Sequence, residues 1–158
     1  MKVGIFYGST TGITERISKK VASLLKADVF NACEIDKIDN YDFLIFATST
    51  WGMGLLQNSW VKVIDSLKNK DLSNKKVALI GIGNQIAFNE TFVNGMGILY
   101  DAVIEAGAEV VGKTSTEGYE YSNSIAVRHG YFVGLPIDEK NQKEMTEERI
   151  KNWIENIM

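Results

Sequence analysis

The stretch Gly8-Ser9-Thr10-Thr11-Gly12-Ile13-Thr14 has the makings of an anion cradle that contains no basic residue. It follows an apolar run, Val3-Gly4-Ile5-Phe6-Tyr7, that reads as a buried strand. It precedes an amphipathic run with Ile13, Ile17, Val21, Leu24 and Leu25 on one face and Glu15, Arg16, Lys19 and Lys20 on the other. That spacing is a helix packed on a sheet, so the segment is a strand-to-helix turn. Free backbone N–H groups and the helix dipole at such a turn attract negative charge. Ser9, Thr10 and Thr11 add neutral hydroxyl donors, with Thr14 behind them. The guest these groups suit is a phosphate.

The missing lysine selects among phosphates. A nucleotide-hydrolysing loop ends in Gly-Lys-Ser/Thr, and its lysine reaches the β- and γ-phosphates. Here Gly12 is followed by Ile13 and Thr14. A dinucleotide turn needs Gly-x-Gly-x-x-Gly, and this one offers Gly8-x-x-x-Gly12. A neutral loop suits a terminal monophosphate held without reaction. Taken alone, the segment also fits an ordinary turn with a threonine helix cap.

Two later loops carry aromatics. One runs Thr48-Ser49-Thr50-Trp51-Gly52-Met53-Gly54 and on to Trp60; the other runs Gly81-Ile82-Gly83-Asn84-Gln85-Ile86-Ala87-Phe88-Asn89-Glu90. Trp51 and Phe88 lie off any helical or strand apolar face. Loop aromatics can plug the edge of a core, but two of them beside a phosphate cradle could also sandwich a planar ring.

The elements that must position these loops alternate along the chain. Val29-Phe30-Asn31-Ala32-Cys33, Phe43-Leu44-Ile45-Phe46-Ala47, Val77-Ala78-Leu79-Ile80-Gly81 and Glu109-Val110-Val111-Gly112 read as further strands. Trp60, Val61, Ile64 and Leu67 mark a helix; Met96, Leu99, Val103 and Ile104 mark another that stops at Gly107. Ile150, Trp153, Ile154 and Ile157 mark the last, with Thr146 expected as its N-cap. Five strands alternating with helices predict a parallel sheet covered on both faces, with ligands bound beyond the strand C-termini. The 158 residues suffice for one core, so a single domain over 1–158 is expected. A net charge of -3 with scattered lysines gives no nucleic-acid footprint. No apolar run reaches membrane-spanning length, and with no signal-peptide pattern a cytoplasmic location is expected. One cysteine and one histidine supply neither a disulfide framework nor a zinc site. Cys33 is expected to be partly buried and His129 a solvated surface residue.

Ser9-Thr10-Thr11-Gly12-Ile13-Thr14, Thr50-Trp51-Gly52, Leu56-Gln57-x-x-Trp60 and Gly81-x-Gly83-Asn84-Gln85 occur in order, each at a strand end. Together they resemble the flavodoxin family over essentially the whole chain. The stretch from Thr114 to Phe132 resembles the insertion that splits the last strand of long-chain flavodoxins, with Phe132-Val133-Gly134-Leu135 resuming it and Asp138-Glu139-x-Asn141-Gln142 following. The resemblance implies a doubly wound five-stranded parallel sheet of order 2-1-3-4-5 and one non-covalent FMN. On it, Ser9, Thr10, Thr11, Gly12, Ile13 and Thr14 hold the phosphate, and Trp51 and Phe88 flank the isoalloxazine ring. Backbone around Thr50, Gly52, Ile82, Gly83 and Asn84 contacts ring edges and ribityl, with Ser49 and Met53 beside them, and Asp138 bonds the ribityl chain. Phe88 stands where the family commonly has Tyr, Asn84 where it has Asp, and Ile13 where it has Asn.

The implied activity is low-potential electron transfer, with single electrons shuttled between redox partner proteins by a monomer that has no substrate of its own. The competing reading on the same fold is an FMN-dependent quinone or azo reductase, which needs an open flavin face. A phospho-receiver domain is excluded, because Tyr7-Gly8-Ser9 and Ala47-Thr48-Ser49 offer no acidic pair and no aspartate.

Overall fold

The computed structural model describes residues 1–158. Strand β1 (Val3–Gly8) lies between β2 (Asp28–Asn31) and β3 (Phe43–Trp51), and β5 (Lys76–Ile82) lies on the far side of β3. Two short strands complete the sheet on the outer edge of β5. Strand β6 (Glu109–Val111) pairs with its first half and β10 (Leu135–Ile137) with its second, all parallel. The order is therefore β2-β1-β3-β5-β6/β10, the doubly wound arrangement expected, with the fifth strand split in two.

Alternation along the strands builds a core on each face. Ile5, Ile45, Ala78, Ile80 and Ile137 meet Ile17 and Val21 of α1 (Ile13–Leu25) and Ile150 and Trp153 of α5 (Thr146–Ile157). Phe6, Leu44, Phe46, Val77 and Leu79 meet Trp60, Leu67 and the Met96–Leu99–Val103 stripe of α4 (Asn94–Glu105). Gly107 follows α4 with φ +91, where a left-handed residue ends a helix.

Several local expectations are corrected. Cys33 is not in a strand: β2 stops at Asn31, whose side chain accepts from the Cys33 amide at 2.8 Å and starts a 3-10 stretch. Cys33 is exposed there rather than partly buried. The Trp60–Leu67 helix is broken into α2 (Asn58–Val61) and α3 (Ile64–Lys68), with Val63 at φ −120 between them. Leu24 and Ile104 face solvent, at 49% and 46% exposure, while Thr14, Ser18 and Ala22 take the inner face of α1. Thr146 does not cap α5; its hydroxyl donates to Glu139 Oε2 at 2.6 Å. Phe132 belongs to the insertion, and the split strand resumes only at Leu135.

The insertion folds into a small antiparallel sheet of β7 (Thr114–Ser115), β9 (Tyr131–Phe132) and β8 (Val127–Arg128). Phe132, Tyr119 and Tyr121 pack around Phe92, just before α4, with ring centroids 5.2–5.9 Å apart. These contacts fasten the insertion to the loop after β5. His129 sits at the exposed tip of the β8–β9 hairpin.

Candidate functional site

The C-terminal ends of β1, β3 and β5 lie level, with Gly8 beside Thr48 and Thr48 beside Gly81. The three loops singled out in the sequence therefore leave the sheet side by side. The first is the turn into α1. Gly12 holds φ +91 at the N-cap position, and no side chain caps the helix. The first helical bond runs from Arg16 N to Gly12 O at 3.0 Å, so the amides of Ile13, Thr14 and Glu15 have no acceptor in the protein. The threonine-cap alternative is thereby removed. Ser9 Oγ instead accepts from Gly12 N at 3.0 Å, and Thr10 Oγ1 accepts from Gln57 Nε2 at 3.3 Å. Ser9, Thr10 and Thr11 edge the open side, and Thr14 lies buried beneath it.

The bases nearest this turn are already paired. Arg16 bonds Glu139, and Lys19 bonds Glu15 at 2.7 Å. The lysine hydrogen bond and its charge hold the Glu15 carboxyl below the usual carboxylate range. The cradle is thus neutral in fact as well as in composition, and what it offers an anion is oriented amides and a helix dipole.

The second loop is a hairpin. Trp51 ends β3 and pairs with Leu55 of β4 (Leu55–Leu56), with Gly52 at φ +53 and Gly54 at φ +102 in the turn. Trp51 is 49% exposed and Met53 81%. A Cβ placed on Gly52 would meet nothing within 4 Å, so its glycine serves backbone conformation rather than fit. Behind the turn the strand end is held firmly. Trp60 Nε1 donates to Ala47 O at 2.9 Å, and Thr50 Oγ1 accepts from Gly95 N, in the first turn of α4, at 2.9 Å. Ser49 Oγ is buried with no hydrogen-bond partner. Ser18 Oγ, inside α1 and away from the loops, is buried in the same unpaired way, so the Ser49 hydroxyl does not by itself mark a ligand contact.

The third loop carries Phe88, 42% exposed, and Asn84. With Thr50, Gly52 and Gly83 they line a notch of about 10 Å³. That volume cannot enclose a ring. A flat ring would lie at the surface beside the notch, against the exposed faces of Trp51 and Phe88. The largest cavity, about 540 Å³, lies elsewhere, between α4, β6 and the β8–β9 hairpin, where Tyr100, Val110 and Tyr131 line it. It includes none of the three strand-end loops, so we assign the site to the loops and not to the cavity.

Asp138 departs from its expected role. It has no exposed surface, and its carboxylate accepts from Gln85 N, Gln85 Nε2, Lys140 N, Asn141 N and Asn141 Nδ2 at 2.9–3.1 Å. Burial alone would raise its pKa, but those donors together hold it below the usual range. Fully bonded and enclosed, it has nothing to give a ribityl chain. It braces the third loop instead. Gln85, also buried, continues the brace to Gln142 Oε1 at 2.9 Å and to the Glu120 amide of the insertion.

Gln57 and Gln85 were visible in the sequence only as parts of motifs, yet each is a buried polar pivot behind a loop. Gln57 and Trp60 also crowd Gly8 so closely that a Cβ there would collide with both. The signal that could have found them is a glutamine beside a glycine-rich strand end.

The family model for flavodoxins matches residues 5–153. Flavodoxin 1 of Azotobacter vinelandii is 43% identical over 162 residues, covering 97% of this chain and 93% of that protein. The flavodoxin of Synechococcus elongatus is 37% identical over 163 residues, covering 99% and 95%. Among solved structures, Fusobacterium nucleatum flavodoxin bound to flavin mononucleotide superposes with a TM-score of 0.95 at 38% identity, covering 99% of this chain and 96% of that one.

Proposed function

The chain belongs to the flavodoxin family, and on that premise we propose that it binds one FMN across the three loops and carries single electrons between partner proteins. It is an electron carrier rather than an enzyme, and the reductase alternative is not favoured, since the relatives above are named flavodoxins. The observation that carries the residue assignment is the uncapped start of α1, whose neighbouring bases Arg16 and Lys19 are already paired with carboxylates. The amides of Ile13, Thr14 and Glu15, with the hydroxyls of Ser9, Thr10 and Thr11, bind the phosphate monoester. Gly12 supplies the left-handed backbone that lets those amides converge. Trp51 and Phe88 stack on the ring and shield it from water.

When bound, FMN supplies one-electron chemistry at the protein surface. The chain's own residues set its conditions. Gly52, with open space where a side chain would be, leaves the Gly52-Met53 peptide free to turn its carbonyl or its N–H toward the ring. Asn84 presents a neutral amide at the ring's edge. Trp51, Met53, Leu55, Ile86 and Phe88 expose apolar surface on the two ring-bearing loops. They form the face on which reductase-type donors and acceptor enzymes dock transiently, and the carrier itself is a monomer. We place it in the cytoplasm, where the exposed Cys33 stays a thiol.

Fluorescence titration of the apoprotein tests the reading. FMN is expected to bind at one per chain and riboflavin far more weakly, since each amide left without its phosphate oxygen forfeits about 1–3 kcal/mol. Equal affinity for the two would overturn the phosphate assignment.

A further inference from the structure

Asn84 is held in an unusual way for a residue at the rim of a binding notch. Its Oδ1 accepts from Ile86 N at 3.2 Å, Ala87 N at 2.9 Å and Asn141 Nδ2 at 2.8 Å. All three are donors, so the oxygen and nitrogen of the amide cannot exchange places. That leaves Nδ2 as the uncommitted end, with no partner in the protein. The Ile86 and Ala87 amides belong to the loop itself. They orient the side chain within the loop, but they do not fix the loop on the body of the protein.

Asn141 does that. Its Nδ2 donates one hydrogen to Asn84 Oδ1 and the other to Asp138 Oδ2 at 2.9 Å. Asp138 is the anchor: wholly buried, at the end of β10, in no ion pair, and holding Gln85 by both its backbone and its side-chain nitrogen. Adjacent residues Asn84 and Gln85 thus hang on one carboxylate, the first through Asn141 and the second directly. Charge-assisted bonds of this kind are about twice as strong as neutral ones.

We propose that Asn141, anchored on Asp138, is a positioning residue that fixes Asn84 so that its Nδ2 is a hydrogen-bond donor to the electron-rich edge of the bound flavin. The proposal rests on the FMN reading above. A donor at that edge stabilises the ring more as it gains electrons. Asn141 therefore tunes the second one-electron potential without touching the flavin. A purely structural brace would lower stability and weaken binding of every redox form alike, leaving the potential where it was.

A double-mutant cycle on the FMN-loaded protein separates the two. Both potentials are measured by anaerobic titration for wild type, Asn141→Ala, Asn84→Ala and the double variant. Asn141 is exposed, and thermal unfolding of each apoprotein reports the fold independently. Asn141→Ala is expected to weaken binding of the fully reduced flavin relative to the singly reduced form by up to tenfold. For one electron that is a negative shift of up to about 59 mV. Asn84→Ala shifts the same way by at least as much, and the double variant shifts no further than Asn84→Ala alone. An unmoved potential in Asn141→Ala overturns the proposal, and so does a shift that persists in full when Asn84 is already Ala. Failure of wild type to bind FMN at all is seen before any variant is made, and overturns the flavin reading itself.

Discussion

Replacing Gly12 by alanine tests the cradle through its backbone alone. The residue sits at φ +91, ψ −9, and a Cβ there would meet nothing within 4 Å. Steric clash therefore adds nothing, and the whole effect is the strain of a left-handed L-residue, about 1–2 kcal/mol. This strain can surface in two places. If the apoprotein keeps the turn, its stability falls by that amount and FMN affinity is unchanged. If the apoprotein relaxes to negative φ, its stability is kept and FMN must restore the turn. Affinity then falls about 5- to 30-fold, since 1.4 kcal/mol is a factor of ten. By linkage the two losses sum to the same total. Urea unfolding of the apoprotein and calorimetric titration with FMN measure the parts. Gly12→Asn, whose side chain tolerates the left-handed region, should lose clearly less than Gly12→Ala. A summed loss below about 0.5 kcal/mol in Gly12→Ala, within the scatter of a neutral surface change, would mean that the FMN-bound turn does not use this conformation.

Four further outcomes follow from the same geometry. Trp51→Ala and Phe88→Ala are each expected to weaken FMN binding by about 1–3 kcal/mol through lost stacking and an exposed ring, and to restore flavin fluorescence; unchanged affinity in either places the ring elsewhere. Gly52→Val should narrow the separation of the two one-electron potentials, since a β-branched residue opposes the peptide turn by about 1 kcal/mol or more; an unchanged separation moves that role to another peptide. The depressed Asp138 carboxyl adds stability that is complete above its unfolded pKa of about 3.9 and is lost as pH falls toward and through the lower folded value. The apoprotein's unfolding free energy should therefore drop more steeply below about pH 4 than that of Asp138→Asn, and parallel curves would remove Asp138 from the acid limb. Asn84→Asp places an anion at the ring edge, and at about 6 Å and an effective dielectric of about 20 the repulsion reaches about 3 kcal/mol before screening. The second potential should move negative by tens of millivolts and the shift should shrink with salt, while an unmoved potential at low salt puts residue 84 away from the flavin.

The sheet was legible because its strands are buried on both faces and so appear as unbroken apolar runs. Phe43 to Ala47 and Val77 to Ile80 could be read without periodicity, and both are wholly or almost wholly inaccessible. Helix faces were less legible, for a physical reason. Thr14, Ser18 and Ala22 share the inner side of α1 with Ile17 and Val21, and small or polar side chains carry little hydrophobic signal. Hydrophobicity alone therefore pointed to Leu24, which is larger and lies outside. The break after Val61 was invisible for a different reason. Val63 leaves helical dihedrals at φ −120 between the two pieces, and Val61-Lys62-Val63-Ile64 contains no glycine or proline to mark the break.

Of the candidate site, the residues that present backbone are marked in the sequence and those that present a buried side chain are not. Gly12 and Gly52 announce themselves because a positive φ calls for glycine. Trp51 and Phe88 announce themselves because an aromatic at a strand end has no apolar stripe to join. Asp138 carries no such mark. As a letter in the sequence, a carboxylate near a cofactor loop is equally a ligand contact or a brace. Only its five donors and its complete burial separate the two. Those donors come from the loop after β5 and from the turn that follows β10, residues more than fifty positions apart in sequence for Gln85 and Asp138. A chain folded to set a redox potential must fix the edge of its cofactor to a fraction of a hydrogen-bond length. In the proposed arrangement that precision comes from polar groups saturated out of sight of the ligand, where neither periodicity nor motif spacing reaches.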